Sequence, residues 1–149
     1  MKALQLDQDD LIDFQLYGII TAYNDPAQFV YHVNRFFEAR FERCDDLDVV
    51  IDEHLAYYPV FEWEDPFGGV IYSIIKNSGY TTTKQKNDNL LFQMFDLTPA
   101  MLPQYKDYNF LLRVENEDDT DILISENQFI QKITKLRTEK VKFIERLIF

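Results

Sequence analysis

One cysteine, two histidines, one tryptophan and four glycines are all that this 149-residue chain holds of those types. With Cys44 alone, no intrachain disulfide can form, and a reducing, cytoplasmic setting is the simplest expectation. Gly18, Gly68, Gly69 and Gly79 fit no phosphate-cradling spacing. Ser73, Ser78 and Ser125 stand in no nucleophile-elbow context. No apolar run approaches the ~18 residues of a membrane span. The acid-rich start, MKALQLDQDDLID, lacks the apolar centre of a secretory leader. Positive charge is also scarce: 15 Lys and Arg face 26 Asp and Glu, a formal charge of −11. That balance repels nucleic acid and anionic membrane, so neither is an expected partner.

What is abundant is aromatic surface, with 13 Phe and 9 Tyr. The length suits a single domain spanning 1–149, large enough to fold without a metal or disulfide. Charge is unevenly spread. Residues 132–149 carry six Lys and Arg against Glu139 and Glu145, a net +4 in an otherwise acidic chain. This segment is expected to lie against acidic surface, within the chain or on a second copy in a homodimer.

The stretch Leu102 to Val114 reads LPQYKDYNFLLRV. Tyr108, Phe110, Leu112 and Val114 alternate with Asn109, Arg113 and Glu115, Leu111 being the one apolar exception. That pattern predicts a half-buried central strand. Phe14 to Tyr23 fits strand or helix, and Gly18 with Ile19, Ile20 and Thr21 favours strand. Asn24-Asp25-Pro26 starts a helix to about residue 39, with Phe29, Val30, Val33, Phe36 and Phe37 at helical period.

Short strands are expected at 2–6 and near 41–44 or 47–51. A further strand over 57–63 places Tyr57, Pro59, Phe61 and Trp63 on one face, with Pro59 marking an edge or bulge. Asp65-Pro66-Phe67-Gly68 turns the chain into a strand over 70–76, giving a hairpin. Residues 77–89 read as a polar loop, 90–95 as a strand and 115–121 as an acidic turn. Thr98-Pro99 opens one helical turn, which Pro103 stops. Ser125, with Gln128 three residues on, starts a second helix over 125–137, buried through Phe129, Ile130, Ile133 and Leu136. Val141 to Phe149 is expected to be a strand. The sum is an α+β fold, a mostly antiparallel or mixed sheet with two main helices on one face.

At Leu102-Pro103-Gln104, followed after three residues by Tyr108-Asn109-Phe110, the chain resembles the bacterial IPExxxVDY family. Fragments around Phe14–Ile19, Asn34 to Leu47, Tyr72–Asn77 and Leu147–Phe149 are similar to that family in the same order. Gln104 and Asn109 stand where the motif has acids, which removes carboxylate chemistry there. The family has no established activity, so the resemblance implies a compact α+β fold.

Candidate chemistry is thin. Cys44 with His32 or His54 is the one possible thiol–imidazole pair, and a lone Cys is most simply a core residue. Asp45, Asp46, Asp48, Asp52, Glu53 and His54 form the densest acid–His run, most simply a solvated strand flank. Glu62 and Glu64 fall on one strand face, as solvent acids or as paired carboxylates. Tyr57, Phe61, Trp63 and Tyr72 are the candidate binding residues, aromatics in excess of what core packing needs. The composition therefore predicts a non-enzymatic binding or protein-interaction domain with no cofactor and no metal. The alternative is a small-molecule-binding protein or enzyme with a dispersed carboxylate-based or metal-assisted site.

Overall fold

Asn24-Asp25-Pro26 starts the helix where the sequence places it. The Gln28 amide donates to Asp25 Oδ2 at 2.9 Å, and Pro26 occupies the first helical position. Helix α1, Pro26–Phe37, ends at Glu38, whose left-handed φ of 54° turns the chain out. The computed structural model describes residues 12–51, 53–81, 99–115 and 122–149. The strands expected at 2–6 and 90–95, most of the polar loop and nearly all of the acidic turn lie outside those residues.

Among the described residues α1 is the one α-helix, set against nine strands. These are β1 Gln15–Thr21, β2 Glu42–Arg43, β3 Leu47–Ile51, β4 His54–Tyr58, β5 Val60–Glu64, β6 Ile71–Lys76, β7 Tyr80–Thr81, β8 Phe110–Glu115 and β9 Ile130–Leu136. A six-stranded antiparallel sheet runs β2-β5-β6-β8-β1-β9, and a three-stranded one runs β3-β4-β7. Pro59 is the joint between them: it has no N–H for a ladder, and the chain leaves one sheet and enters the other there. The single strand expected over 57–63 is therefore two, and Tyr57 does not share a face with Phe61 and Trp63. The hairpin about Asp65 to Gly68 forms as expected, joining β5 to β6.

The large sheet is covered on both sides. One core lies under α1 and holds Phe29, Val30, Val33, Phe110, Leu112 and Val114. The second holds Leu16, Tyr58, Ile75, Leu111, Ile144 and Leu147, beneath the small sheet and the C-terminal turns. Strand β8 is central, as the sequence predicts, but it is buried on both faces rather than one. Leu111 was the local sign of that second core. Tyr108 packs on Leu111's side, with its ring so close to Gly18 that a Cβ there would lie 2.5 Å from Cδ1.

Three expectations fail for identifiable reasons. Residues 125–137 are not a second helix: β9 pairs with β1, and the Asn127 side chain accepts from the amides of Phe129 and Ile130 at 2.8 and 2.9 Å. A bulge opposite Ile20 and Thr21 inserts Gln131, so Ile130 and Ile133 reach the same core despite their odd spacing. That insertion reproduces the i, i+3 spacing of a helix within a strand. Residues 141–149 are not a strand either. After a 3₁₀ turn at Thr138–Lys140 they form a second at Ile144–Leu147, with Val141, Ile144 and Leu147 buried at a period of three. Pro103 opens a 3₁₀ turn over Pro103–Tyr105 instead of ending a helix.

Two contacts of the basic C-terminal segment are to exposed or main-chain groups. Arg137 pairs with Glu139 at 3.4 Å, both exposed, and Arg146 donates to the Met101 carbonyl at 2.8 Å. Exposed pairs of this kind contribute little to stability.

Two buried phenols contribute a pH dependence to the stability of the fold on the alkaline side. Burial raises the Tyr58 hydroxyl above its ordinary value, with the Arg146 charge opposing, and burial likewise raises that of Tyr72. Tyr58 donates to the Pro99 carbonyl at 2.7 Å. Above about pH 10 the unfolded chain releases these protons first. Stability present below that pH is therefore lost as pH rises through the folded values. Urea midpoints of the wild type should fall between pH 9 and pH 11, and Tyr58→Phe with Tyr72→Phe should shrink that fall. An equal fall in the double variant would contradict the assignment.

Candidate functional site

Helix α1 buries Phe29, Val30 and Val33 and turns a second aromatic face outward. The sequence assigns Phe36 to the buried stripe, yet it is 52% exposed, and Tyr31 is 55% exposed. Phe36 lies in the last turn of α1, two residues before its end at Glu38. On the outer face Arg35 Nη1 donates to the Tyr31 hydroxyl at 3.0 Å, one helical turn away.

Phe129 fixes the opposite wall. Its carbonyl accepts from Thr21 Oγ1 at 2.7 Å, and the same hydroxyl accepts from the Tyr23 amide at 3.2 Å. That chain of bonds locks Tyr23 and Phe129 onto the end of β1. Tyr23 stacks on His32 with centroids 4.4 Å apart and planes 7° apart. Phe129 meets Phe36 edge-on at 5.6 Å and tilts toward His32 at 5.9 Å. Between these walls lies an open cleft of about 700 Å³ lined by Tyr23, His32, Arg35, Phe36, Gln128 and Phe129. Among the described residues no carboxylate lines it, although the chain carries −11. Such a surface can stack a planar group and pair an anion with Arg35.

The residues singled out from the sequence are not brought together here. Phe61, Trp63 and Tyr72 lie in the core under α1, where Trp63 and Tyr72 stack at 5.4 Å and the Tyr72 hydroxyl accepts from the Leu123 amide at 3.3 Å. Tyr57 belongs to the small sheet, stacked on Tyr80 at 5.6 Å. Trp63 does border a second, shallower trough of about 400 Å³ with Arg40, Glu42, Glu62, Glu64 and Pro66. Glu42 stands opposite Glu62 in the β2–β5 ladder, and Glu62 and Glu64 share a face, as their spacing predicts. All three are exposed, which matches solvated acids better than an enclosed pair.

Cys44 is half-buried beside this trough, its Sγ donating to the Glu42 carbonyl at 3.5 Å. Burial first, and then the Glu62 charge, raise its thiol above the ordinary value, the direction opposite to an activated nucleophile. His32 is in the cleft and His54 is exposed on β4. In the acid–His run, Asp46 is engaged by Arg43 at 2.5 Å and by the Tyr80 hydroxyl, and Asp52 lies outside the described residues. Among the described residues no three His, Cys, Asp or Glu side chains converge as a metal-holding set. No described helix is long and apolar enough to cross a membrane.

The chain matches no family model, no curated protein and no solved structure. The cleft residues escaped the sequence reading because two of its walls, Tyr23 and Phe129, are far apart in the chain. The local sign was Tyr31-His32, two rings off the buried stripe.

Proposed function

We propose that this protein is a binding domain without covalent chemistry of its own, and that the α1–Phe129 cleft is its binding surface. The occupant that fits is an acidic polypeptide segment carrying one aromatic side chain. The observation that carries this reading is the aromatic lining of the cleft with Arg35 as the one full cation, and no carboxylate, among the described residues that line it. A partner's ring would slide between Phe36 and the Tyr23–His32 stack, while a flanking carboxylate meets Arg35. The Tyr31 hydroxyl already orients that guanidinium, which reduces the ordering cost on binding.

A ten-residue synthetic peptide with one Phe among Asp and Glu residues serves as probe. It should bind with saturable calorimetric heats, and Arg35→Glu should weaken it at least about tenfold, the scale of one lost charge-assisted contact. Phe36→Ala should weaken it similarly, and a Lys-flanked peptide should not bind. Equal affinity for the wild type and both variants would overturn the proposal.

A further inference from the structure

Phe67 stands apart from every other aromatic of the described residues: it is 98% exposed at the tip of the β5–β6 hairpin. The tip that carries it is closely bonded. The Asp65 amide donates to the Val70 carbonyl at 2.9 Å, the Gly69 amide to the Asp65 carbonyl at 2.7 Å, and the Phe67 amide to Asp65 Oδ1 at 3.0 Å. Gly69 closes the turn at φ +69°, where other residues would be strained. A phenyl ring held out in water on an ordered backbone turn forgoes all of its burial free energy within its own chain. Rigid aromatic anchors of this kind dominate interfaces because little ordering remains to be done on binding.

Two acids precede the anchor in the chain. Glu64 is exposed and ends β5, and Asp65 opens the turn two residues before Phe67. An aromatic ring with carboxylates close on one side is the chemistry proposed above for the α1 cleft. We infer that the cleft's occupant is the Phe67 hairpin tip of a second copy of this chain. The inference rests on the cleft reading above. Phe67 enters between Phe36 and the Tyr23–His32 stack of the neighbour, and the Glu64 carboxylate meets the neighbour's Arg35. Knob and hole are different surfaces, so the contact repeats as a chain or closes when two copies exchange knobs. A hairpin tip covers a small area, so the association is transient and concentration-dependent.

Sedimentation velocity at ~0.15 M ionic strength, where distant exposed charges are largely screened, tests this with three samples. The wild type should show a weight-average sedimentation coefficient that rises with concentration. Phe67→Ala alone and Arg35→Glu alone should each weaken association at least about 30-fold, the factor for a hot-spot truncation. Their equimolar mixture should regain association, because one variant keeps the cleft and the other keeps the knob. Unchanged urea midpoints for both variants, expected at such exposed positions, exclude misfolding as the cause. A wild type that stays monomeric, a Phe67→Ala variant that associates like the wild type, or a mixture that fails to associate would overturn the inference. If the acidic Phe peptide still binds the cleft in those cases, self-recognition alone is wrong. If the peptide fails as well, the cleft reading falls with it.

Discussion

Replacing Asn77 by Ala should lower the unfolding free energy by about 3–5 kcal/mol, near the top of the range for single substitutions. Asn77 follows β6 and is almost wholly buried. Its Nδ2 donates to the carbonyls of Tyr105 and Tyr108 at 2.9 and 3.0 Å, and its Oδ1 accepts from the Leu102 amide at 3.1 Å. Its main chain joins the same network, donating to the Asn109 carbonyl at 3.0 Å and accepting from the Met101 amide at 2.7 Å. One side chain thus holds the whole Met101–Asn109 segment against the sheet. Truncation strands a buried amide and leaves two carbonyls short of a donor, each at a cost of about 1–3 kcal/mol. Asn77→Asp keeps the acceptor but turns both donors into an oxygen facing carbonyl oxygens, so it should not rescue. Urea unfolding at neutral pH checks both variants. A midpoint within error of the wild type for Asn77→Ala would contradict the network.

The second large effect concerns Arg113, which is 4% exposed in the central strand. Its guanidinium lies between the rings of Phe14 and Phe149, 4.5 Å from each centroid. Nη1 donates to Glu115 Oε1 at 2.6 Å and Nη2 to the Phe149 main-chain oxygen at 3.4 Å. Among the described residues Nε has no hydrogen-bond partner, and neither has Oγ of the buried Ser73 directly opposite on β6. A buried charge with incomplete pairing contributes little net stability, but removing its counter-ion is costly. Glu115→Ala should therefore destabilise by about 2–3 kcal/mol, at the low end because Glu115 is partly exposed to water. Arg113→Met keeps an unbranched chain between the two rings and removes the charge, so it should cost less than about 1.5 kcal/mol. The ordering is the test. A larger loss for Arg113→Met than for Glu115→Ala would mean that the ion pair itself stabilises the fold.

The parts of this architecture legible in the sequence are those whose signals are local. Asp25-Pro26 marks the start of α1 through the backbone donors they satisfy or lack, and Pro59 marks where a ladder must end. The 102–114 stretch reads as central because Phe110, Leu112 and Val114 alternate. The stretch from Leu102 to Asn109 proves to be a joint: Leu102 is buried, Pro103 opens the 3₁₀ turn, and Asn109 Oδ1 accepts from the Thr21 amide at 2.9 Å. The second core was hidden because its cover, the small sheet and the C-terminal turns, is assembled from distant segments. The β9 bulge gives a strand the spacing of a helix, and no local pattern separates the two. Val141, Ile144 and Leu147 recur at three, a period shared by 3₁₀ turns and by neither regular element. The cleft was invisible for the first of these reasons, since Phe129 meets α1 only after β9 has paired with β1.

The claim that function resides in that cleft is tested most directly by amide spectra of ¹⁵N-labelled protein titrated with the acidic Phe peptide. The account predicts saturable shifts at Tyr23, at His32 to Phe36 and at Gln128 and Phe129, with the Glu62–Glu64 trough unaffected. Shifts confined to that trough, or no shift at any residue up to saturating peptide, would contradict it.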